Sequence, residues 1–213
     1  VTDYSRTERL ALCDLFDQAG PDRTTLCEGW LTHDLAAHLY VRESDPIAAP
    51  GIMLPALAGT TERRMAAVKT RWSFTELVGK VRGGPPSFSI YALPVIGREL
   101  NTPEYLVHHE DVRRAVPDFQ VRALPGEQQE GLWKGLKLAA RSMLRKAPSG
   151  VVLRLPDGRE SVAKKPTAAG SVTVTGEPAE LVLFCFGRQA VAQVDLDGDP
   201  EITAQLQGKS FGF

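Results

Sequence analysis

Apolar positions in the first two thirds of the chain recur with a helical period. Leu12, Leu15, Phe16 and Ala19 fall at i, i+3, i+4 and i+7, one face of a helix that stops at Gly20-Pro21. A second helix starts near Thr32, read as its N-cap, with Leu31, Leu35, His38 and Leu39 on its inward stripe. Pro46, Pro50 and Gly51 mark a loop. Helical patterning resumes from about Leu54 to Thr70 and again from Phe74 to Val81, until Gly83-Gly84-Pro85-Pro86 breaks it. The next helix is expected over Pro103 to Val116. Thr102-Pro103 either opens it or, in a helix that begins earlier, kinks it. A further helix, Glu127 to Lys146, turns Leu132, Leu136, Ala139, Ala140 and Met143 to one side.

After Ala147-Pro148-Ser149-Gly150 the period changes to two. Val151 to Leu155 and Arg159 to Ala163 flank Pro156-Asp157-Gly158, a hairpin signal. Ser171 to Thr175 is another strand. Pro178 opens a helix through Phe186 that Gly187 can terminate. Val191 to Leu196 is expected as a strand, and Asp199-Pro200 starts a last short helix. The fold class is therefore mainly α with a small α+β part. The expected organisation is a four-helix bundle over residues 1–148 followed by a small α+β domain over residues 149–213.

Composition narrows the function classes. Lys and Arg number 25 against 26 Asp and Glu, so no overall field draws the chain to nucleic acid or to an anionic membrane. No apolar run reaches the length of a membrane span, and Val1 to Leu10 is too polar for a secretory signal. Cys13, Cys27 and Cys185 form no C-x-x-C pair and suit reduced thiols, so a cytoplasmic location is expected. The chain contains no H-E-x-x-H, P-loop, dinucleotide or nucleophile-elbow motif.

What stands out is the placement of His38, Glu104 and His108. Glu104 and His108 are four residues apart and share a helix face, with Asp111 one turn further. His38 lies on an apolar stripe of another helix. Buried carboxylates are costly unless paired or bound to a metal. Two imidazoles and a carboxylate on neighbouring helices suit zinc or another divalent transition metal, and three protein ligands leave a position open. The ordinary alternatives are a hydrogen-bonded core histidine, a first-turn carboxylate, and a solvated face over His108-His109-Glu110-Asp111.

Two stretches carry a resemblance: Leu26-Cys27-Glu28-Gly29-Trp30-Leu31-Thr32-His33-Asp34-Leu35-Ala36-Ala37-His38-Leu39, and Glu104-Tyr105-Leu106-Val107-His108-His109-Glu110-Asp111-Val112. They resemble the metal-binding domain of mycothiol-dependent maleylpyruvate isomerases, within the DinB/YfiT-like superfamily of four-helix metal-binding bundles. Thr173 to Leu181, continued through Phe186-Gly187-Arg188, resembles the small second domain of those proteins. The match looks closest to an actinobacterial branch. The resemblance implies zinc on His38, Glu104 and His108, mycothiol as thiol cosubstrate, and Arg188 as a clamp for a substrate carboxylate. His109 and Glu110 depart from the small and aromatic residues that the isomerases usually carry there, so the substrate need not be maleylpyruvate.

Two functions follow as expectations. One is a thiol-dependent transferase or isomerase acting on a small electrophile, in which Glu110 or Asp111 moves a proton or orients His108. The ordinary reading of both acids is a surface group. The other is a non-catalytic binding module with a structural metal, which a fourth protein ligand such as Cys27 or His109 would favour. The partners are a small thiol and an electrophile, with no nucleic acid or membrane. The sequence leaves monomer and homodimer open.

Overall fold

The computed structural model describes residues 2–48 and 55–209. The loop markers Pro50-Gly51 and the expected helix start at Leu54 lie outside them. The chain divides into two compact units, residues 1–121 and 122–213.

The first unit holds helices α1 (Tyr4–Ala19), α2 (Thr32–Ser44), α3 (Ala58–Arg71), α4 (Phe74–Gly83) and α5 (Pro94–Arg113). Asp3 caps α1 by accepting from the Arg6 amide, and Gly20 ends it at φ 74°. A left-handed residue at that point is why the chain carries glycine there. Thr32 was expected to cap α2, but the cap is Leu31, whose amide donates to Asp34 Oδ2 at 3.0 Å. Thr32 is the first helical residue, and its hydroxyl donates to the Gly20 carbonyl. Leu31 is correspondingly 37% exposed rather than part of the inward stripe. Ser73 and Glu76 form a reciprocal capping box on α4. α5 begins at Pro94, so Pro103 sits inside the helix rather than at its start. Helix α1 packs on α4 and α5, and α2 packs on α3 and α4. Leu12, Phe16, Leu35, Leu39, Leu77, Val78, Tyr105 and Val112 fill the space between them.

The second unit holds α6 (Gly126–Met143), β1 (Gly150–Arg154), β2 (Glu160–Lys164), β3 (Ser171–Thr175), α7 (Pro178–Cys185), β4 (Asp195–Asp197) and α8 (Pro200–Gln207). The sheet order is β2-β1-β3-β4, with β1 antiparallel to β2 and parallel to β3, and β4 antiparallel to β3. Val151, Leu153, Val172 and Val174 are buried on one face by the two-residue period. The change of period at Pro148 and the division of the chain do not coincide. Helix α6 packs on α7 and β2, which groups it with the sheet. The strand expected from Val191 to Leu196 is shorter. After Gly187 (φ 85°) the chain folds back, and the amides of Val191 and Ala192 both donate to the Arg188 carbonyl, so pairing begins only at Asp195. This mainly α fold with a small α+β part is the class expected from the sequence. Among the described residues no helix is long and apolar enough to cross a membrane.

Among the described glycines of the second unit, Gly150 is the most closely packed. A Cβ there would lie 2.6 Å from Pro166 Cα and 2.9 Å from the Lys165 carbonyl oxygen, both backbone atoms. Gly150→Ala therefore has to move a chain segment and is expected to cost about 1–3 kcal/mol. A denaturant titration checks this, and an unchanged midpoint would contradict the packing described.

Candidate metal centre

The site is built on α2 and α5 of the first unit. Residues four apart on a helix face the same way. On α2 this pairs His38 with Arg42, and on α5 it pairs Glu104 with His108, with Asn101 and Asp111 one turn to either side. His38 Nε2 lies 3.2 Å from Glu104 Oε1, and His108 Nε2 lies 3.3 Å from the same oxygen. The donor atoms of His38, Glu104 and His108 all fall within 4.8 Å of one another. Zinc bonds to nitrogen and oxygen of about 2.0–2.1 Å at tetrahedral angles separate neighbouring ligand atoms by about 3.3 Å. The 3.2 and 3.3 Å separations match that edge, so the residues fit the metal that the sequence implied.

Exposure is graded across the three. The side chains of His38 and His108 are 7% and 10% exposed, and that of Glu104 is 15% exposed. The centre is thus enclosed but touches solvent on the carboxylate side, as ligand exchange requires.

The surroundings prepare each group. Arg42 Nε lies 3.2 Å from Glu104 Oε1, its Nη1 donates to Asn101 Oδ1 at 2.6 Å, and its plane stacks on Tyr91 at 4.1 Å. Burial pushes the Glu104 carboxyl up, but Arg42 and the two histidines together hold it well below the usual range. Burial holds His38 below an ordinary histidine against the pull of Glu104, so it stands neutral near pH 7. Burial also disfavours charge on His108. Its bonds to Asp111, Cys27 and Glu104 outweigh that and raise it well above an ordinary histidine. His108 Nδ1 lies 2.9 Å from Asp111 Oδ2. A carboxylate only accepts, so Nδ1 carries the proton and the Nε2 edge is left to face Glu104. In metal sites a carboxylate commonly supports a ligand histidine through its other ring nitrogen in this way.

The remaining expected site residues divide. Glu110 and Asp111 are buried, which removes the surface reading of both. Asp111 sits on His108. The Glu110 carboxylate accepts from Arg114 Nε at 2.6 Å and from Arg113 Nη1 at 3.1 Å. His109 Nδ1 lies 3.1 Å from Glu8 in a buried pair, so it is held apart from the cluster. Arg188 belongs to the second unit, where its Nη1 donates to the Phe186 carbonyl. Sequence reasoning missed Arg42, Asn101 and Trp30. The first two are one turn from ligands on the same faces, so extending the i, i+4 and i, i+3 spacing would have found them. Trp30, whose ring lies 5.1 Å from the His38 ring, comes from the loop before α2 and has no periodic signal. Tyr91 and Asn101 also line a cavity of about 490 Å³ with Ser5, Arg6 and Arg9, within the size range of small-molecule sites.

These charges set a proton balance. Without metal the centre holds neutral His38, anionic Glu104 and cationic His108. Binding a metal is therefore expected to release about one proton, from His108, and apparent affinity should rise about tenfold per pH unit up to the pKa of that group. Calorimetry of zinc binding in two buffers of different ionisation enthalpy measures the release. No buffer dependence near pH 7 would contradict the assignment.

No family model matches the sequence, and no curated protein matches it. Solved structures do resemble it. A mycothiol-dependent maleylpyruvate isomerase superposes with a TM-score of 0.53 at 19% identity, covering 92% of this chain and 91% of that one. A variant of such an isomerase with a histidine replaced by alanine gives 0.53 at 18% identity, covering 93% and 92%. The chain therefore has a maleylpyruvate isomerase-like fold over nearly its whole length.

Proposed function

We propose that the protein binds one zinc or other divalent transition-metal ion through His38, Glu104 and His108, and uses it to join a small thiol to, or with that thiol to isomerise, a small electrophile. The convergence of His38 Nε2 and His108 Nε2 on a single Glu104 oxygen carries the metal part of this reading. The fold likeness to mycothiol-dependent isomerases supports the thiol part, with mycothiol as the cosubstrate to try first.

A bound metal deprotonates a coordinated thiol and so presents a thiolate nucleophile at neutral pH. The chain's own residues do the rest. His38 would offer an Nε2 lone pair once its proton shifts from Nε2, which faces Glu104, to Nδ1, and His108 would do so once it has lost its Nε2 proton. Glu104 supplies the anionic oxygen, and Arg42 keeps that oxygen oriented. Asp111 keeps the His108 ring and tautomer fixed through Nδ1. Glu110, clamped by Arg113 and Arg114, anchors the end of α5. Arg188 enters as a carboxylate clamp on the resemblance alone.

Addition of a thiolate to an activated cis double bond, rotation about the resulting single bond, and expulsion of the thiolate give the trans isomer with the thiol regenerated. Displacement of a leaving group gives a thioether instead. The structural-metal alternative called for a fourth protein ligand. His109 is committed to Glu8, and Cys27 groups with His108 and Asp111 rather than with His38 and Glu104.

The test is an ultraviolet assay of cis-enoic acids with the zinc-loaded protein, with and without mycothiol. The reading expects turnover that needs both metal and thiol. Turnover indifferent to thiol would overturn the thiol part of the reading, and no turnover across a panel of thiols and electrophiles would return the protein to a binding role.

A further inference from the structure

The loop between α1 and α2 grips α5 at one residue. The Leu26 amide donates to the Asp111 carbonyl at 3.0 Å. The next residue, Cys27, donates its thiol to Asp111 Oδ2 at 3.2 Å. That oxygen is also the one that faces His108 Nδ1. The loop is tied within itself. Thr25 Oγ1 donates to the Trp30 carbonyl at 2.9 Å and accepts from the Cys27 amide at 3.2 Å, and Trp30 N donates to the Cys27 carbonyl at 3.0 Å. Gly29 turns the chain at φ 74°, a conformation that other residues adopt only with strain.

Asp111 is fully buried. A buried carboxylate must have its oxygens satisfied, and its side chain stays in one orientation only if donors hold it there. At Oδ2 those donors are His108 and Cys27.

We propose that Cys27 is a positioning residue of the metal centre: its thiol fixes the Asp111 carboxylate, which in turn aims His108 Nε2 at the metal position. This rests on the metal reading above. Cys27, His108 and Asp111 also lie within 4.8 Å of one another and form a second group of possible ligands. The proton balance of the imidazole separates the two roles. A neutral ring has one lone pair. With the proton on Nδ1 toward Asp111, the lone pair is on Nε2, toward Glu104 and His38. A metal held by Cys27 would need that lone pair on Nδ1 and would turn a protonated Nε2 into the three-residue cluster.

The test uses the full chain and four variants: Cys27→Ala, Cys27→Ser, Asp111→Ala and the Cys27→Ala/Asp111→Ala pair. Zinc affinity is measured by competition with a chromophoric chelator, and folding is checked by circular dichroism. Cys27→Ala is expected to weaken zinc binding about 3–10-fold, less than the roughly 10–100-fold lost with direct outer-shell partners, because the thiol acts one bond further out. Cys27→Ser, which keeps a donor, should bind within about twofold of wild type. Cys27→Ala should cost clearly less in the Asp111→Ala background than in the wild type, because the part of its effect that passes through that carboxylate is already lost and only its direct contact with His108 remains. The cobalt-loaded wild type should show no sulfur-to-cobalt charge-transfer band.

An unchanged affinity in Cys27→Ala, failure of serine to rescue, an equal loss in the Asp111→Ala background, or a sulfur-to-cobalt band each overturns the positioning role while leaving the metal reading standing. Should Asp111→Ala not fold, the alanine–serine comparison and the cobalt spectrum decide. A wild type that takes up neither ion overturns the metal reading and this inference together.

Discussion

Glu104→Gln is expected to lower zinc affinity by roughly two to three orders of magnitude while leaving the helices intact. The substitution keeps the size and an oxygen acceptor but removes the charge. Glu104 Oε1 is the atom on which His38 Nε2, His108 Nε2 and Arg42 Nε converge, at 3.2, 3.3 and 3.2 Å. Zinc sites with four ligands are worth roughly 10–16 kcal/mol in all, or about 2.5–4 kcal/mol per ligand, which spans the stated loss. A second consequence concerns the metal-free protein. With the carboxylate neutralised, Arg42 and His108 face each other with no anion between them, so the His108 pKa should fall. Chelator competition measures the first effect and proton nuclear magnetic resonance of the imidazole the second. Wild-type affinity in Glu104→Gln would mean that the metal, if any, is held elsewhere.

Glu43→Ala is expected to have the largest effect on stability, about 3–5 kcal/mol. Arg9 and Glu43 form a bidentate pair at 3.0 and 2.7 Å with side chains only 6% and 3% exposed, and the Arg9 guanidinium also stacks on the Tyr105 ring at 4.6 Å. Removing the carboxylate leaves the guanidinium buried without its counter-charge. Burial already pushes the Glu43 carboxyl above its ordinary range in spite of Arg9, so desolvation takes back much of what the pair gains. The apolar double replacement Arg9→Met with Glu43→Leu should therefore recover most of the loss. Denaturant titrations of both variants check this. A small effect for Glu43→Ala, or a double variant as unstable as the single one, would contradict it.

Much of this was legible in the sequence because helical periodicity and local chemistry carry the same information. Gly20 and Gly187 end helices where the backbone must turn left-handed, and Asp199 caps the last helix through two amides. The Glu104–His108 spacing alone places both side chains on one face. Other features depend on partners distant in sequence. Thr32 looked like a cap, yet its hydroxyl is used by Gly20 twelve residues earlier, and Leu31 takes the cap position. Pro103 looked like a helix start, but the turns before it are helical as well. The run His108-His109-Glu110-Asp111 read equally well as a solvated face. Each of its members is buried because α1, the loop before α2, and Arg113 and Arg114 supply partners: Glu8 for His109, Cys27 for Asp111, the two arginines for Glu110. The Glu110 pairs follow the local i,i+3 and i,i+4 spacing, but no local pattern announces Glu8 for His109 or Cys27 for Asp111.

The most direct test is the metal content of the purified wild-type chain and of His38→Ala, both prepared without a histidine tag and measured by elemental analysis. Near one zinc or other divalent transition-metal ion per wild-type chain, and loss of most of it in His38→Ala, is the predicted result. A wild type that holds no such ion even after incubation with zinc, nickel or iron, or a His38→Ala variant that keeps the full amount, would contradict the assignment of His38, Glu104 and His108 as a metal centre.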